Sequence, residues 1–164
     1  MKNNYHLYLG KAGHLTVMSE FLLRGWNVAI PEIDIGDDIF VVQDESGTLR
    51  RVQVKTSTST NRRNSFSGRF KIPLKQLRNL VEVPVNYAFI VRHLDSWTKP
   101  IIIRQDDLLN LFETDNIGSV HGEMLNLYFA YFDEKIKCSK IDLTQYVAPR
   151  IVKRAYWFVH ELVL

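Results

Sequence analysis

Two short strand-like stretches joined by a turn constrain the fold of this chain more than any other feature. Residues 38–42 begin with an acid and continue with β-branched and aromatic side chains, and residues 49–57 follow after a Gly-containing turn. Such a pair is typical of a β-hairpin. Because strand side chains alternate between two faces, Gln53 and Lys55 point the same way, and pairing of the strands brings Asp38 to their pocket. An acid, a carbonyl oxygen and an ammonium that converge in this way suit metal-assisted phosphodiester cleavage.

The order of the other elements predicts one mixed α/β sheet with helices on its faces. The spacing of Leu15, Met18 and Leu22, in a stripe that Val17 and Phe21 widen, indicates a helix that opens at residues 10–13 and ends at Gly25. Residues 58–67 are polar and basic, which indicates a loop. We expect further strands at 27–30, 66–72, 87–91, 99–104 and 125–132, and further helices after Pro73, from Asp106, and from Leu143 to Val163.

Size and composition predict one globular domain spanning residues 1–164. The hydrophobic fraction of 46% and the charged fraction of 24% are those of an ordinary soluble protein. The single cysteine excludes an intrachain disulfide and a Cys-based zinc cluster. Because the first residues lack an apolar signal region and no apolar run is long enough for a bilayer, we expect a cytoplasmic protein with no membrane partner.

The positive charge of the chain is concentrated in one segment. Between Ser46 and Val81 there is no Asp or Glu, whereas nine Lys and Arg residues fall there, so this segment carries +9 and the rest of the +3 chain carries −6. Such a segment predicts a polyanionic partner, although a solvated basic loop remains an alternative. The candidate nucleic-acid-binding residues are Arg50, Arg51, Arg62, Arg63, Arg69 and Lys71.

Four ordered motifs resemble the PD-(D/E)XK nuclease-like superfamily, in particular its small solo endonuclease-like proteins and the homing endonucleases that carry Gln-x-Lys. They are Gly-Lys-Ala-Gly at 10–13, Leu-Leu-Arg-Gly-Trp-Asn-Val at 22–28, Gly-x-Asp at 36–38 and Gln-Val-Lys-Thr at 53–56. The resemblance implies a restriction-endonuclease-like fold, with a mixed central β-sheet flanked by helices. It covers the first third of the chain closely and the remainder in general order.

The resemblance also implies a role for each motif residue. Asp38 corresponds to the central metal-binding carboxylate, and Gln53 offers an amide oxygen where an acid is usual. Lys55 orients the attacking water or stabilises charge on the phosphate, and the Val54 carbonyl is a possible further ligand. The implied cofactor is Mg²⁺ or Mn²⁺, since hard divalent cations prefer oxygen ligands.

One position departs from the family pattern in the first helix. The glutamate that normally follows the glycine-containing opening is His14 here. Helical geometry turns His14 toward the sheet and Glu20 toward solvent, so Glu20 is a poor replacement. Three roles stay open for His14: metal coordination, proton transfer and a hydrogen bond in the pocket. Together with Gln53, this change removes two negative charges, so we expect weak metal binding that the substrate phosphate strengthens.

The expected function is metal-dependent hydrolysis of phosphodiester bonds, and the resemblance implies double-stranded DNA as the substrate. Related nucleases often act as homodimers, because cutting both strands takes two sites. Two alternatives remain. The first is a weakened nuclease-fold domain that binds nucleic acid without cutting it. The second is an interaction or accessory protein of a defence or mobile-element system. A cross-strand ion pair between Asp38 and Lys55 would explain these two residues without catalysis.

Overall fold

The computed structural model describes residues 4–33, 37–43, 46–133 and 135–148. Three helices and twelve strands lie within these ranges. Their bounds are α1 (Tyr5–Leu22), β1 (Trp26–Ala29), β2 (Ile39–Gln43), β3 (Leu49–Thr58), β4 (Thr60–Arg62), β5 (Ser65–Pro73), α2 (Leu74–Arg78), β6 (Val85–His93), β7 (Ser96–Trp97), β8 (Ile101–Arg104), α3 (Gln105–Glu113), β9 (Ser119–His121), β10 (Met124–Phe132), β11 (Lys135–Cys138) and β12 (Ile141–Asp142).

The first sheet is mixed, which confirms the predicted fold class. Its strand order is β1-β2-β3-β6-β7, and β8 pairs with β6. The β1–β2 and β2–β3 pairs are antiparallel, whereas β3 and β6 are parallel. A parallel pair requires a crossover connection, and the chain between β3 and β6 supplies it through β4, β5 and α2.

A second sheet, which the sequence did not predict, packs against the first. It is antiparallel, with the order β12-β11-β10-β5-β4, and β9 pairs with β10. Fully buried aromatic residues from both sheets meet in the larger core, among them Phe70, Phe89 and Phe129. A smaller core that includes Val17 and Val54 lies between α1 and the opposite face of the first sheet. The molecule is therefore layered as helix, mixed sheet and antiparallel sheet.

The prediction of a loop at residues 58–67 is wrong. Residues 60–62 form β4 and pair antiparallel with residues 65–67 of β5. The hairpin was not predicted because β4 is only three residues long, polar and exposed, so it lacks the apolar alternation from which a strand is inferred.

The first helix is present, but it begins at Tyr5 rather than Gly10. Within the predicted apolar stripe, Val17 is buried, and Met18 and Phe21 pack against the smaller core. Leu15 is 54% exposed and Leu22 is 53% exposed. The buried face is therefore narrower than the predicted stripe, because α1 carries apolar side chains on several sides and periodicity alone does not select one face.

The predicted helix from Leu143 to Val163 lies mostly outside the described residues. Within the described part, residues 144–146 form a short 3-10 turn. The extent of the domain over residues 1–164 therefore stays a prediction. None of the described helices is long and apolar enough to cross a membrane.

Candidate active site

Asp38 lies directly before β2, and the backbone of β3 fixes its position. Its N–H donates to the carbonyl of Val52 at 3.0 Å, and its Oδ2 accepts a hydrogen bond from the N–H of Val54 at 2.6 Å. The β2–β3 pairing ends at Ile39 and Val52. Beyond that pair, the carboxylate of Asp38, rather than a backbone carbonyl of β2, accepts the hydrogen bond from β3. Ladder hydrogen bonds lie along the plane of a sheet. The Asp38 carboxylate therefore lies at the edge of β3, between the two faces of the sheet.

His14 approaches the same carboxylate from the helix side. Its Nε2 lies 3.6 Å from Oδ2 of Asp38, and both side chains are partly exposed. The preceding residue makes this approach possible, because a Cβ at Gly13 would overlap the side chain of Thr56 in β3. With glycine there, α1 lies close against β3. The structure thus brings together the two residues that the sequence predicted to share a pocket.

Gln53 and Lys55 leave β3 on the face away from α1. Val54, between them, packs in the core beneath α1, and neighbouring strand residues alternate between faces. Gln53 is buried, and its Oε1 accepts a hydrogen bond from Nε2 of Gln76 in α2 at 2.9 Å. Asp38 is therefore bonded to the strand residue that separates Gln53 from Lys55.

The carbonyl of Val54 faces the edge of β3 at which Asp38 lies. In an extended strand the N–H and C=O of one residue point to the same side, and the N–H of Val54 points to Asp38. A backbone oxygen and a carboxylate thus lie side by side at the open end of the β2–β3 pair.

Asp37 is a second acid at this edge, and it is 2% exposed. Its Oδ2 accepts a hydrogen bond from Nε of Arg51 at 2.8 Å, and Arg51 also donates to the carbonyl of Val83. The Oδ1 of Asp37 is buried and has no hydrogen-bond partner among the described residues. Buried carboxylate oxygens are normally satisfied, so this atom is a candidate ligand for a cation.

A cleft of about 380 Å³ opens beside these acids. Its walls include the first half of α1 and the chain before β2. The charged and titratable side chains that line it are His6, Lys11, His14, Asp37 and Asp38. The cleft is large enough for a nucleotide-sized group. Gln53 and Lys55 are not among the residues that line it, so Asp38 does not share this cleft with them as the sequence predicted.

The donor set fits a weakly held divalent cation. The described residues contain no group of three or more His, Cys, Asp and Glu side chains that could hold a metal. The available oxygens are the carboxylate of Asp38, the unpartnered Oδ1 of Asp37 and the carbonyl of Val54, whereas the amide oxygen of Gln53 is bonded to Gln76. Carboxylate and carbonyl oxygens suit Mg²⁺, which keeps several waters when it is bound.

The six basic residues predicted to bind nucleic acid lie in different places. Arg62 and Arg63 lie at the exposed turn between β4 and β5, and Arg69 and Lys71 are exposed on β5. Arg51 pairs with Asp37. Arg50 is half-buried, and burial, together with the charge of Arg104, lowers the pKa of its guanidinium. The sequence segment therefore does not fold into one basic patch, and the roles of these six residues stay predictions.

The side chains that neighbour the exposed part of β5 were not among the residues predicted to bind nucleic acid. Tyr128 in β10 and Lys135 and Lys137 in β11 lie on the same side of the second sheet as Arg69. They lie outside the acid-free segment, so the charge count overlooked them. The alternation of residues 135–137, with a lysine on either side of Ile136, would have indicated a two-faced strand.

The mixed α/β fold has a counterpart among solved structures. The chain is similar to the solved structure of a bacterial homing endonuclease, I-Ssp6803I, with a TM-score of 0.59 over 94% of this chain and 95% of that chain. The two sequences are 15% identical, so the likeness concerns the fold. No protein-family model and no curated protein matches the chain.

Proposed function

We propose that this protein is a divalent-metal-dependent endonuclease of the PD-(D/E)XK type that hydrolyses phosphodiester bonds of double-stranded DNA. The observation that carries the proposal is the position of Asp38. Its carboxylate is held by the backbone of β3 between Gln53 and Lys55, and His14 lies on its other side. The similarity of the fold to a homing endonuclease supports DNA as the substrate.

Each residue of the site has a separate task in this proposal. Asp38, the carbonyl of Val54 and the amide oxygen of Gln53, which accepts a hydrogen bond from Gln76 in this structure, would hold the cation, with Asp37 adding negative charge nearby. A bound Mg²⁺ or Mn²⁺ supplies Lewis acidity toward a phosphoryl oxygen. The ammonium of Lys55 orients the attacking water and stabilises the negative charge that develops on the phosphate. His14 holds the Asp38 carboxylate in position from the helix side.

Cleavage of a supercoiled plasmid tests the proposal. The wild-type protein is incubated with plasmid in Mg²⁺, in Mn²⁺ and in EDTA, beside Lys55→Ala and the control Lys99→Ala, which removes an exposed lysine outside the site. We expect nicked or linear product with either metal, none in EDTA and none with Lys55→Ala. The proposal is wrong if the wild type gives no metal-dependent product, or if Lys55→Ala cuts as fast as Lys99→Ala.

A second candidate is a nuclease fold that binds DNA without cutting it. His14 and Gln53 favour it, because two neutral side chains stand where the resembled family carries carboxylates. In the same experiment, DNA retention with no metal-dependent cleavage supports this candidate. Absence of any salt-sensitive DNA affinity supports an interaction or accessory protein instead.

We also propose that the protein is cytoplasmic and that it forms a homodimer. The homodimer is proposed because cutting two strands with one site per chain takes two copies. Sedimentation of the protein with and without a duplex oligonucleotide reports the number of chains in the complex. A single chain bound per duplex would contradict the dimer and leave the chemistry of the site untouched.

A further inference from the structure

The second sheet has one buried face and one exposed face, and the exposed face is basic. Alternation places Phe70, Leu127 and Phe129 in the core. Their sequence neighbours in β5 and β10 therefore point outward. The exposed residues of this outer face, taken with those that pair beside them in β4 and β11, include Arg62, Ser67, Arg69, Lys71, Tyr128, Lys135 and Lys137.

The strand register places the outer-face cations on both flanks of the central pair. Thr60 pairs with Ser67, Ser67 with Ala130, and Ala130 with Lys137. This row crosses β4, β5, β10 and β11, which span about 14 Å at the ~4.8 Å spacing of neighbouring strands. The B-DNA major groove is ~12 Å wide, so the row matches the distance between its two phosphate walls.

Arg69 and Tyr128 form the centre of the outer face. They are register partners, and the guanidinium of Arg69 lies 5.3 Å from the centre of the Tyr128 ring. Arg69 also donates to Oδ1 of Asn126 at 3.3 Å. Tyr128 is 46% exposed, although large aromatic rings are usually more covered. An arginine held in place beside an exposed ring is suited to contact base edges or sugars.

One hydrogen bond ties β5, which carries part of the outer face, to β3. The N–H of Arg69 donates to Oγ of Ser57 at 3.0 Å. Ser57 follows Lys55 by two residues on the same face of β3. Phe89, the register partner of Lys55, packs in the core between the sheets, so Lys55 leaves β3 on the side of the inner face of the second sheet.

Described acids lie at the rim of this surface, with Asp133 in the turn between β10 and β11 and Asp142 in β12. Asp142 in β12 pairs in register with Lys137, and its carboxylate accepts a hydrogen bond from the N–H of Thr144. Among the residues that the structure describes, the side chains in the interior of the face, between β4 and β11, are either cationic or neutral. This is the charge pattern expected for a surface that binds a polyanion.

We propose that the outer face of the second sheet docks duplex DNA, with Lys135, Lys137 and Arg62 on the phosphates and with Arg69 and Tyr128 on the groove floor. This inference rests on the proposed DNA-directed function. It extends the nucleic-acid-binding surface to β10 and β11, which lie outside the acid-free segment. It assigns no docking role to Arg50 and Arg51.

Salt-dependent binding of a duplex oligonucleotide in EDTA tests the assignment without cleavage. The variant Lys135→Ala/Lys137→Ala is compared with Lys75→Ala/Lys99→Ala, which removes two exposed lysines outside the face. Because each phosphate contact contributes about 0.9 to the slope of log K against log salt, we expect the face variant to lower that slope by about 2. We expect the control to leave it unchanged. Equal slopes for the two variants would overturn the proposal.

A second pair of variants tests the centre of the face. Tyr128→Phe keeps the ring and should keep duplex affinity, whereas Tyr128→Ala should weaken binding about tenfold or more, in line with the loss of one aromatic contact to nucleic acid. Thermal unfolding of both variants reports whether the fold is intact. Equal affinity of the two variants, or tighter binding of the single strand than of the duplex, would contradict duplex docking here.

These measurements separate the two proposals. Metal-dependent cleavage that is unaffected in the Lys135/Lys137 variant would reject the docking face and keep the nuclease. A reduced salt slope in a protein that never cleaves would keep the face and reject the nuclease.

Discussion

The carboxylate of Asp38 lies where three parts of the chain meet. It accepts a hydrogen bond from Val54, lies 3.6 Å from His14 and adjoins the buried Asp37. At the scale of single residues, the balance of charge in this small volume determines whether a cation binds. The side chains of His14 and Gln53 carry no negative charge. The negative charge of Asp37 is offset by its ion pair with Arg51. Metal affinity should therefore respond strongly to one added carboxylate.

His14→Glu should strengthen metal binding. A glutamate beside Asp38 adds a hard anionic ligand, so we expect the Mg²⁺ concentration for half-maximal cleavage to fall by about tenfold. The matched control is His6→Glu, which adds the same charge farther along the cleft wall. An equal effect of both variants would show that general charge, rather than the contact with Asp38, controls the affinity.

Arg51→Ala should destabilise the fold, because it leaves the carboxylate of Asp37 buried without its cation. For a pair in which one partner is partly exposed, we expect a loss of about 2 kcal/mol in the free energy of unfolding. Arg78→Ala is the control, since Arg78 pairs with the exposed Glu113 and should change stability by less than about 1 kcal/mol. Urea denaturation of both variants measures the difference, and equal losses would contradict a structural role for the Asp37–Arg51 pair.

At the scale of elements, the close packing of α1 on β3 builds the site. The helix carries glycine at two interior positions, but only one of them meets a neighbour. A Cβ at Gly13 would overlap Thr56, whereas a Cβ at Gly10 would have nothing within 4 Å. Gly13 therefore sets the distance between His14 and the edge of β3.

Gly13→Ala should destabilise the protein and separate His14 from Asp38. Overpacking at a tight contact costs about 1–3 kcal/mol. Gly10→Ala is the matched control in the same helix, and it should be neutral or stabilising by up to about 1 kcal/mol, because alanine favours helix. Thermal unfolding and cleavage rates of both variants check the prediction. A Gly13→Ala protein that is as stable and as active as Gly10→Ala would contradict it.

The elements that were predicted from sequence are those with strong local signals. The β2–β3 hairpin, the helix after Pro73, the apolar strand β6 and the helix after Arg104 follow from periodicity, proline and acidic first turns. The short strands β4, β9 and β12 were not predicted, because runs of two or three residues carry no period. The second sheet was missed for a related reason: pairing between β5 and β10 joins residues 51 to 65 positions apart, and no local pattern encodes such a pair.

The candidate site was predictable only in part. Alternation placed Gln53 and Lys55 on one face of β3, and helical periodicity turned His14 toward the sheet. The hydrogen bond from Val54 to Asp38, the pairing of Asp37 with Arg51 and the cover of Gln53 by Gln76 depend on tertiary packing. These contacts decide which oxygens are available to a cation, and they are not encoded by spacing.

At the scale of the whole molecule, the layered fold places the site at a sheet edge that is open to solvent. The core between the two sheets fixes β5 and β10, the hydrogen bond between Ser57 and Arg69 ties β5 to β3, and α1 closes the opposite side. The candidate site and the basic outer face are thereby held on one body of strands, with α1 and the outer face on opposite sides of it.

The most direct test of this account is the single-turnover cleavage rate of a duplex oligonucleotide in Mn²⁺ for the wild type, Asp38→Asn and Glu20→Gln. Both variants replace one carboxylate by an amide, and Glu20 is paired with Arg24 in the second half of α1. We expect the wild type and Glu20→Gln to cut at similar rates and Asp38→Asn to cut at least about a hundredfold more slowly. A rate for Asp38→Asn equal to that of Glu20→Gln would show that Asp38 does not hold the metal.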